Sequence, residues 1–200
     1  MAESAWQRRT VLAGIAHPGR FGMATAHPGV VARMIEPIAI YSISARRGEI
    51  AETVACLSDN LGAPVVDGPK RLASGGISVS GVGPGQWVAI GREGCQSTIA
   101  LLQTALTGKA SVVDQTDSRF ILELSGDRVR CALAKGIPVD LHPSVFGPGD
   151  VAQTIAGHIH VQLASMTEHQ AYELVTSAST AVSLWTWMTS SAAEFGLEVL

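Results

Sequence analysis

The sequence predicts an α+β fold of two similar subdomains, antiparallel sheets covered by helices. Three observations carry that expectation. The order strand, helix, short strands, helix occurs twice along the chain. The stretches "WVAIGREGCQSTIALLQTAL" and "YELVTSASTAVSLWTWMTSS" line up as strand, polar loop and apolar-striped helix, one from each occurrence. Two helices per half among several short strands suit an α+β arrangement better than a doubly wound parallel sheet. An internal duplication therefore sets the boundaries: an N-terminal arm over 1–35, a first subdomain over 36–108 and a second over 109–200.

Residues 1–35 show little periodicity and contain "HPGRFG" and "HPGV". They read as an extended arm that lies across a partner or the chain's own surface, or is disordered. A strand is expected at about Ile38–Ser44. A helix follows at about Gly48–Leu61, with Ile50, Val54, Leu57 and Leu61 on one stripe and Gly62 as its stop. "KRLASGG" reads as loop. "ISVS" and "QWVAIG" read as two strands joined by the turn "GVGPG". The second helix, about Cys95–Thr107, places Ile99, Leu102 and Leu106 on its stripe and ends at Gly108.

In the second half, "FILEL" (120–124) leads through Ser125 and Gly126 into a short helix at about 127–135. "IHVQL" (159–163) puts Ile159, Val161 and Leu163 on one face. Turn residues 165–169 lead to "AYELV" (171–175). The last helix, about Ser179–Phe195, buries Ala181, Leu184, Trp185, Met188, Ala192 and Phe195 and stops at Gly196. Trp187 lies well off that stripe, at about 100° of rotation per residue. It is expected to touch the first subdomain or another subunit.

Composition narrows the function. Hydrophobic residues make up 46% and charged residues only 16%, against about 25% charged in an ordinary soluble domain. Mean hydropathy is +0.26. A chain this poor in charge has little with which to cover a large wet surface, so part of that surface is expected inside an assembly. The net charge of −3, with basic residues clustered only at Arg8-Arg9 and Arg46-Arg47, gives no nucleic-acid footprint. No window approaches the roughly 18 apolar residues of a membrane span. Arg8-Arg9 before "TVLAGIA" is too short an apolar run for an export signal. Cys56, Cys95 and Cys131 are odd in number and lack CxxC spacing, which suits reduced thiols in a cytoplasmic protein.

The candidate chemical groups each have a structural reading that outweighs the chemical one. "SGVGPGQ" is followed by a strand rather than a helix, so it is a hairpin turn and not a dinucleotide loop. His158 and His160 form an HxH that a strand would present on one face, yet no third ligand lies nearby in the sequence. Asp114, Asp117, Arg119 and Asp127 sit at strand ends and at a helix start. Asp127 is placed to satisfy first-turn amides there. No GxSxG elbow appears. Asp140 and His142, between Pro138 and Pro143, could form a dyad, but the sequence offers nothing for one to act on. They read as a stiff connector in which Asp140 accepts backbone amides. The sequence thus assigns no catalytic, cofactor-binding or metal-binding residue to this chain.

Read together, "HPGRFG", "ARRGEIAE", "GPGQWVAIGREG", "VVDQTDSRFILELSG", "LAKGIPVDLHPSVFGPGDVAQT" and "SLWTWMTSSAAEFG" resemble the gamma subunits of heterotetrameric sarcosine oxidase, from about residue 12 to 197. The resemblance implies a complex that oxidatively demethylates sarcosine to glycine with hydrogen peroxide and, with tetrahydrofolate, methylene-tetrahydrofolate. It implies alpha, beta and delta subunits as partners, with FAD, FMN, NAD and tetrahydrofolate held by those partners and none by this chain. It also implies a fold like the folate-binding region of the glycine-cleavage T-protein. T-proteins carry a Gly-Gly-x-x-Asp-Asp hairpin near folate, and the matching stretch here, "AGHIHVQLAS", has no carboxylate. A non-catalytic structural subunit is the expected role. The alternatives are a stand-alone folate-dependent one-carbon transferase and, more weakly, a small-molecule sensor domain.

Overall fold

The computed structural model describes residues 11–93, 95–166 and 170–200. The Arg8-Arg9 pair and residues 167–169 of the expected turn lie outside that range, as does the side chain of Ile99. The described elements run β1 (Gly19–Phe21), β2 (Val30–Ile35), β3 (Ala39–Ala45), α1 (Ile50–Leu61), β4 (Arg71–Ser74), β5 (Ile77–Gly83) and β6 (Gln86–Gly91). Then come α2 (Gln96–Ala105), β7 (Ala110–Asp114), β8 (Arg119–Ser125), α3 (Val129–Leu133), β9 (Val151–Ala156), β10 (Ile159–Ser165), β11 (Tyr172–Ser177), α4 (Ala181–Ala192) and β12 (Leu197–Val199).

They form four layers. One sheet has the order β4-β5-β6-β3-β7, the other β1-β12-β2-β8-β11-β10-β9. Helices α1 and α2 cover the outer face of the first through Ile43, Leu57, Trp87 and Leu102, all buried. Helices α3 and α4 cover the second through Leu122, Leu133, Leu184 and Met188. Ile40 and Ile90 of one sheet meet Ile121 and Val175 of the other, so the sheets stack face to face at their centres. Stacked sheets lie about 10 Å apart, which leaves room for side chains between them.

The duplication is visible in the strand orders. Read from the edge, β4-β5-β6-β3-β7 corresponds to β9-β10-β11-β8-β2, with a helix after the fourth position's strand and another after the third's. All pairs are antiparallel except β12 with β2.

Several sequence expectations need correction. The N-terminal stretch is not only an arm: β2 is an inner strand hydrogen-bonded between β12 and β8. Its Val30 and Ala32 are fully buried, and these small apolar residues under the helices account for the pairing. The subdomain boundary at 108/109 also moves, because β7 belongs to the first sheet beside β3. "KRLASGG" contains β4, a short edge strand. Helix α1 buries Thr53, Cys56, Leu57 and Leu61, while Ile50 is 38% exposed.

Helix α3 is shorter than expected and has no side-chain cap. Asp127 is exposed and does not serve its first turn. Of the expected stripe, Ala181, Leu184, Trp185, Met188 and Ala192 are buried on α4, while Phe195 lies beyond its end and is only partly buried. Trp187 packs within its own half. A Cβ at Gly136 would meet its Nε1 at 2.7 Å, and one at Gly157 would meet its Cδ1 at 2.9 Å. The indole lies on two glycine backbones rather than against the first subdomain.

Candidate functional site

Strand alternation decides which residues enter the layer between the sheets. On β8, Phe120, Leu122 and Leu124 join the helix-side core, so Ile121 and Glu123 face the other sheet. On β11, Tyr172 and Leu174 face the helices, leaving Glu173 and Val175 inward. The register then sets Glu123 directly opposite Arg33 of β2 on one side and Glu173 of β11 on the other. An Arg–Glu–Glu row crosses three strands.

Two carboxylates in directly opposed positions repel, and Glu173 is wholly buried. The facing sheet supplies the compensation. Arg92, one residue beyond β6, donates from Nη2 to Glu173 Oε2 at 3.0 Å and also to Glu123 Oε1. Burial alone would lower the Arg92 pKa, but Glu123 and Glu173 outweigh it, and the guanidinium is held above its ordinary value. Arg71, from β4, places Nε 3.5 Å from Glu173 Oε1, with its side chain only 7% exposed. That contact is an ion pair without a hydrogen bond: neither Arg71 Nε nor Glu173 Oε1 has a hydrogen-bond partner among the described residues. The cations come from one sheet and the carboxylates from the other, so the network ties the layers together.

Beside this network lies a cleft of about 480 Å³, lined by Arg33, Arg71, Arg92 and Glu123, with Val31 and Leu124 among its apolar walls. A smaller cleft of about 280 Å³ opens elsewhere between the sheets and presents Ser42, Ser44, Arg119, Gln153, His160 and Gln162. Buried Gln162 leaves Nε2 without a partner there among the described residues.

The residues singled out in the sequence lie mostly elsewhere. Asp140 Oδ1 accepts the His142 amide at 2.9 Å, and His142 Nδ1 is 2.7 Å from Ser144 Oγ. Both side chains are exposed, and the arrangement is that of a connector. His158 sits in the two-residue turn between β9 and β10, and His160 lies within β10. Among the described residues, no three His, Cys, Asp or Glu side chains are grouped to hold a metal. Asp114 Oδ1 accepts the Thr116 amide at 2.8 Å. Arg119 reaches the smaller cleft; Asp114 and Asp127 do not join it. Cys56, Cys95 and Cys131 are all free. Among the described residues no helix is long and apolar enough to cross a membrane.

Arg33, Arg71, Arg92, Glu123 and Glu173 escaped sequence reasoning. A signal was present: "ILEL" and "YELV" each place one glutamate inside an apolar strand. A buried carboxylate there demands a cation from elsewhere.

With this geometry in view, the chain can be set against known proteins. Residues 47–194 match the family model described as sarcosine oxidase, gamma subunit family. The chain is 32% identical over 146 residues to a sarcosine oxidase subunit gamma from Arthrobacter sp., covering 72% of this chain and 71% of that one. It is 31% identical over 123 residues to the corresponding subunit from Corynebacterium sp. (strain P-1), covering 62% of this chain and spanning only 60% of that relative's length. Among solved structures, a chain of the heterotetrameric sarcosine oxidase from Corynebacterium sp. U-96 superposes with a TM-score of 0.79 at 24% identity. That superposition covers 94% of this chain and 96% of the other. The aminomethyltransferase T of the Bartonella henselae glycine cleavage system shares the fold at TM-score 0.65 and 14% identity, covering 86% of this chain and 48% of that one.

Proposed function

The chain belongs to the sarcosine oxidase gamma subunit family, and from that premise we propose that it is a non-catalytic structural subunit of a heterotetrameric sarcosine oxidase. In this reading the complex oxidatively demethylates sarcosine to glycine, releasing hydrogen peroxide and, with tetrahydrofolate, methylene-tetrahydrofolate. The alpha, beta and delta subunits are its partners and hold FAD, FMN, NAD and tetrahydrofolate. The free thiols agree with a cytoplasmic setting.

The observation that carries the reading is the β9–β10 hairpin. With Ala156 and Gly157 set on the paired glycines of the T-protein pattern, His160 and Val161 of β10 stand where that pattern has its aspartates, and the Trp187 indole packs against Gly157. Glu123 and Glu173, the carboxylates between the sheets, are both engaged by Arg92. The residues present do not fit a pterin-gripping site.

Turnover of the assembled complex tests the non-catalytic role. Complexes carrying Asp140→Ala or His142→Ala in this chain should oxidise sarcosine at the wild-type rate per flavin. Loss of a general acid or base lowers rates by about 10²–10⁴-fold, and a fall of that size in either variant would refute the role.

A further inference from the structure

We propose that the smaller inter-sheet cleft binds a small polar oxyanion that carries no ammonium group. The site is built by strand alternation within this chain and does not depend on the subunit reading. On β3, Tyr41 and Ile43 pack with the helix-side core, so Ser42 and Ser44 face the other sheet. On β10, Val161 and Leu163 join the opposite core, which turns His160 and Gln162 inward. On β8, Arg119 shares the inward face of Ile121. With Gln86 and Gln153 these residues line one cleft, and its described lining residues include no Asp or Glu.

Two of the polar groups have no partner. Arg119 is partly buried, yet its guanidinium makes no ion pair or hydrogen bond among the described residues. Arginine is seldom taken out of water unpaired. Gln162 is 5% exposed, and its Nε2 lacks a hydrogen-bond partner among the described residues, although Gln153 stands directly opposite it. Buried donors left unmade are costly, and an acceptor placed in this cleft satisfies both groups. In the larger cleft, by contrast, Arg71 and Arg92 are already paired with Glu123 and Glu173.

The lining selects the ligand. A guanidinium with no carboxylate beside it attracts an anion, and its fork of donors matches the oxygens of a carboxylate or phosphoryl group. An ammonium group brought in with the anion would meet no counter-charge there. The hydroxyls and carboxamides donate and accept, so they can bond hydroxyl groups on the same ligand. A volume of about 280 Å³ falls just below the usual range for small-molecule sites, about 300–1,000 Å³, and suits a ligand of few heavy atoms.

Arginine modification by phenylglyoxal, mapped by peptide mass spectrometry, tests the site with glycolate and inorganic phosphate as probes. The protein is used in whichever form it purifies, complex or full chain, so failure to assemble does not affect the outcome. At least one probe should slow modification of Arg119 saturably, about tenfold at ten times its dissociation constant. Glycine, which has an ammonium in place of the glycolate hydroxyl, should protect much less at equal concentration, and chloride at equal ionic strength not at all. Exposed Arg46 and Arg47 serve as internal controls. Stronger protection by glycolate identifies a carboxylate ligand, and stronger protection by phosphate a phosphoryl one. Gln162→Leu keeps the side-chain volume and removes the amide, and should raise the probe concentration required about fivefold, the loss of one hydrogen bond. If that variant does not fold, the wild-type comparison decides alone. The proposal is overturned if neither probe slows Arg119, if glycine protects as strongly as the protecting probe, or if Gln162→Leu leaves the concentration dependence unchanged.

Discussion

Glu123 and Glu173 stand directly opposite each other on adjacent strands, and Arg92 from the facing sheet donates to both. Two like charges are thus held side by side in the middle of the molecule by a cation from the other half of the duplication. The network bears on how the halves stay together.

Breaking it should be expensive. Removing one partner of a buried pair leaves the other charge uncompensated, at a cost of about 3–5 kcal/mol. Glu173→Ala, which strands the Arg71 guanidinium, should lower the unfolding free energy by that order in urea titrations. Arg33→Ala, at an exposed position, should change it by less than about 0.5 kcal/mol.

A second tie between the sheets depends on pH. Lys70 pairs with Asp150, where the β4 and β9 edges meet through a bridge between those residues. Burial alone would raise the Asp150 pKa, but the Lys70 ammonium and the Gly147 amide outweigh it and hold the carboxyl below its ordinary value. A depressed folded-state pKa contributes stability that is present above the unfolded value, about 3.9, and is lost as pH falls through the folded one. Lys70 is 60% exposed on its side chain, so the pair contributes only about 0.2–1 kcal/mol. The stability difference between wild type and Asp150→Asn should be present at pH 6 and shrink progressively below about pH 4.

Trp187 should respond through its glycines. Gly157 has φ of 65°, and a Cβ there would meet the indole at 2.9 Å. Gly157→Ala combines backbone strain with overpacking and should destabilise by about 1–3 kcal/mol. Adding Trp187→Ala removes the clash but not the strain, so a thermal melt of the double variant should show a coupling between the sites.

The cysteines should separate by burial. Cys131 is exposed, whereas Cys56 and Cys95 are buried. Burial also raises the Cys95 pKa, which its own backbone only partly offsets, and the thiolate is the reactive form. Iodoacetamide should label Cys131 in the native chain and all three after denaturation.

The sequence made the repeated helices and the central strands legible because those carry strong periodicity. The α4 stripe from Ala181 to Ala192 is the clearest case. Strands β2, β4 and β7 were hidden for a physical reason. "VVARMI" mixes helix-facing Val30 and Ala32 with cleft-facing Arg33, and "RLAS" and "ASVVD" are short edge strands whose outer faces need no apolar run. The cleft was hidden for a different one. Arg33, Arg71, Arg92, Glu123 and Glu173 are spread over 141 residues of sequence, and only strand register and the stacking of two sheets bring them together. Asp140 and His142, close in sequence and chemically suggestive, proved to be a local turn.

A chain with only 16% charged residues is proposed to sit inside a larger enzyme. Size-exclusion chromatography with light scattering, on this chain co-expressed with the other subunits, tests it most directly. Elution of all the subunits in one peak, with this chain at a fixed stoichiometry, is the expected result. A separate, stable, monodisperse species of 20.8 kDa beside a fully assembled remainder would contradict it.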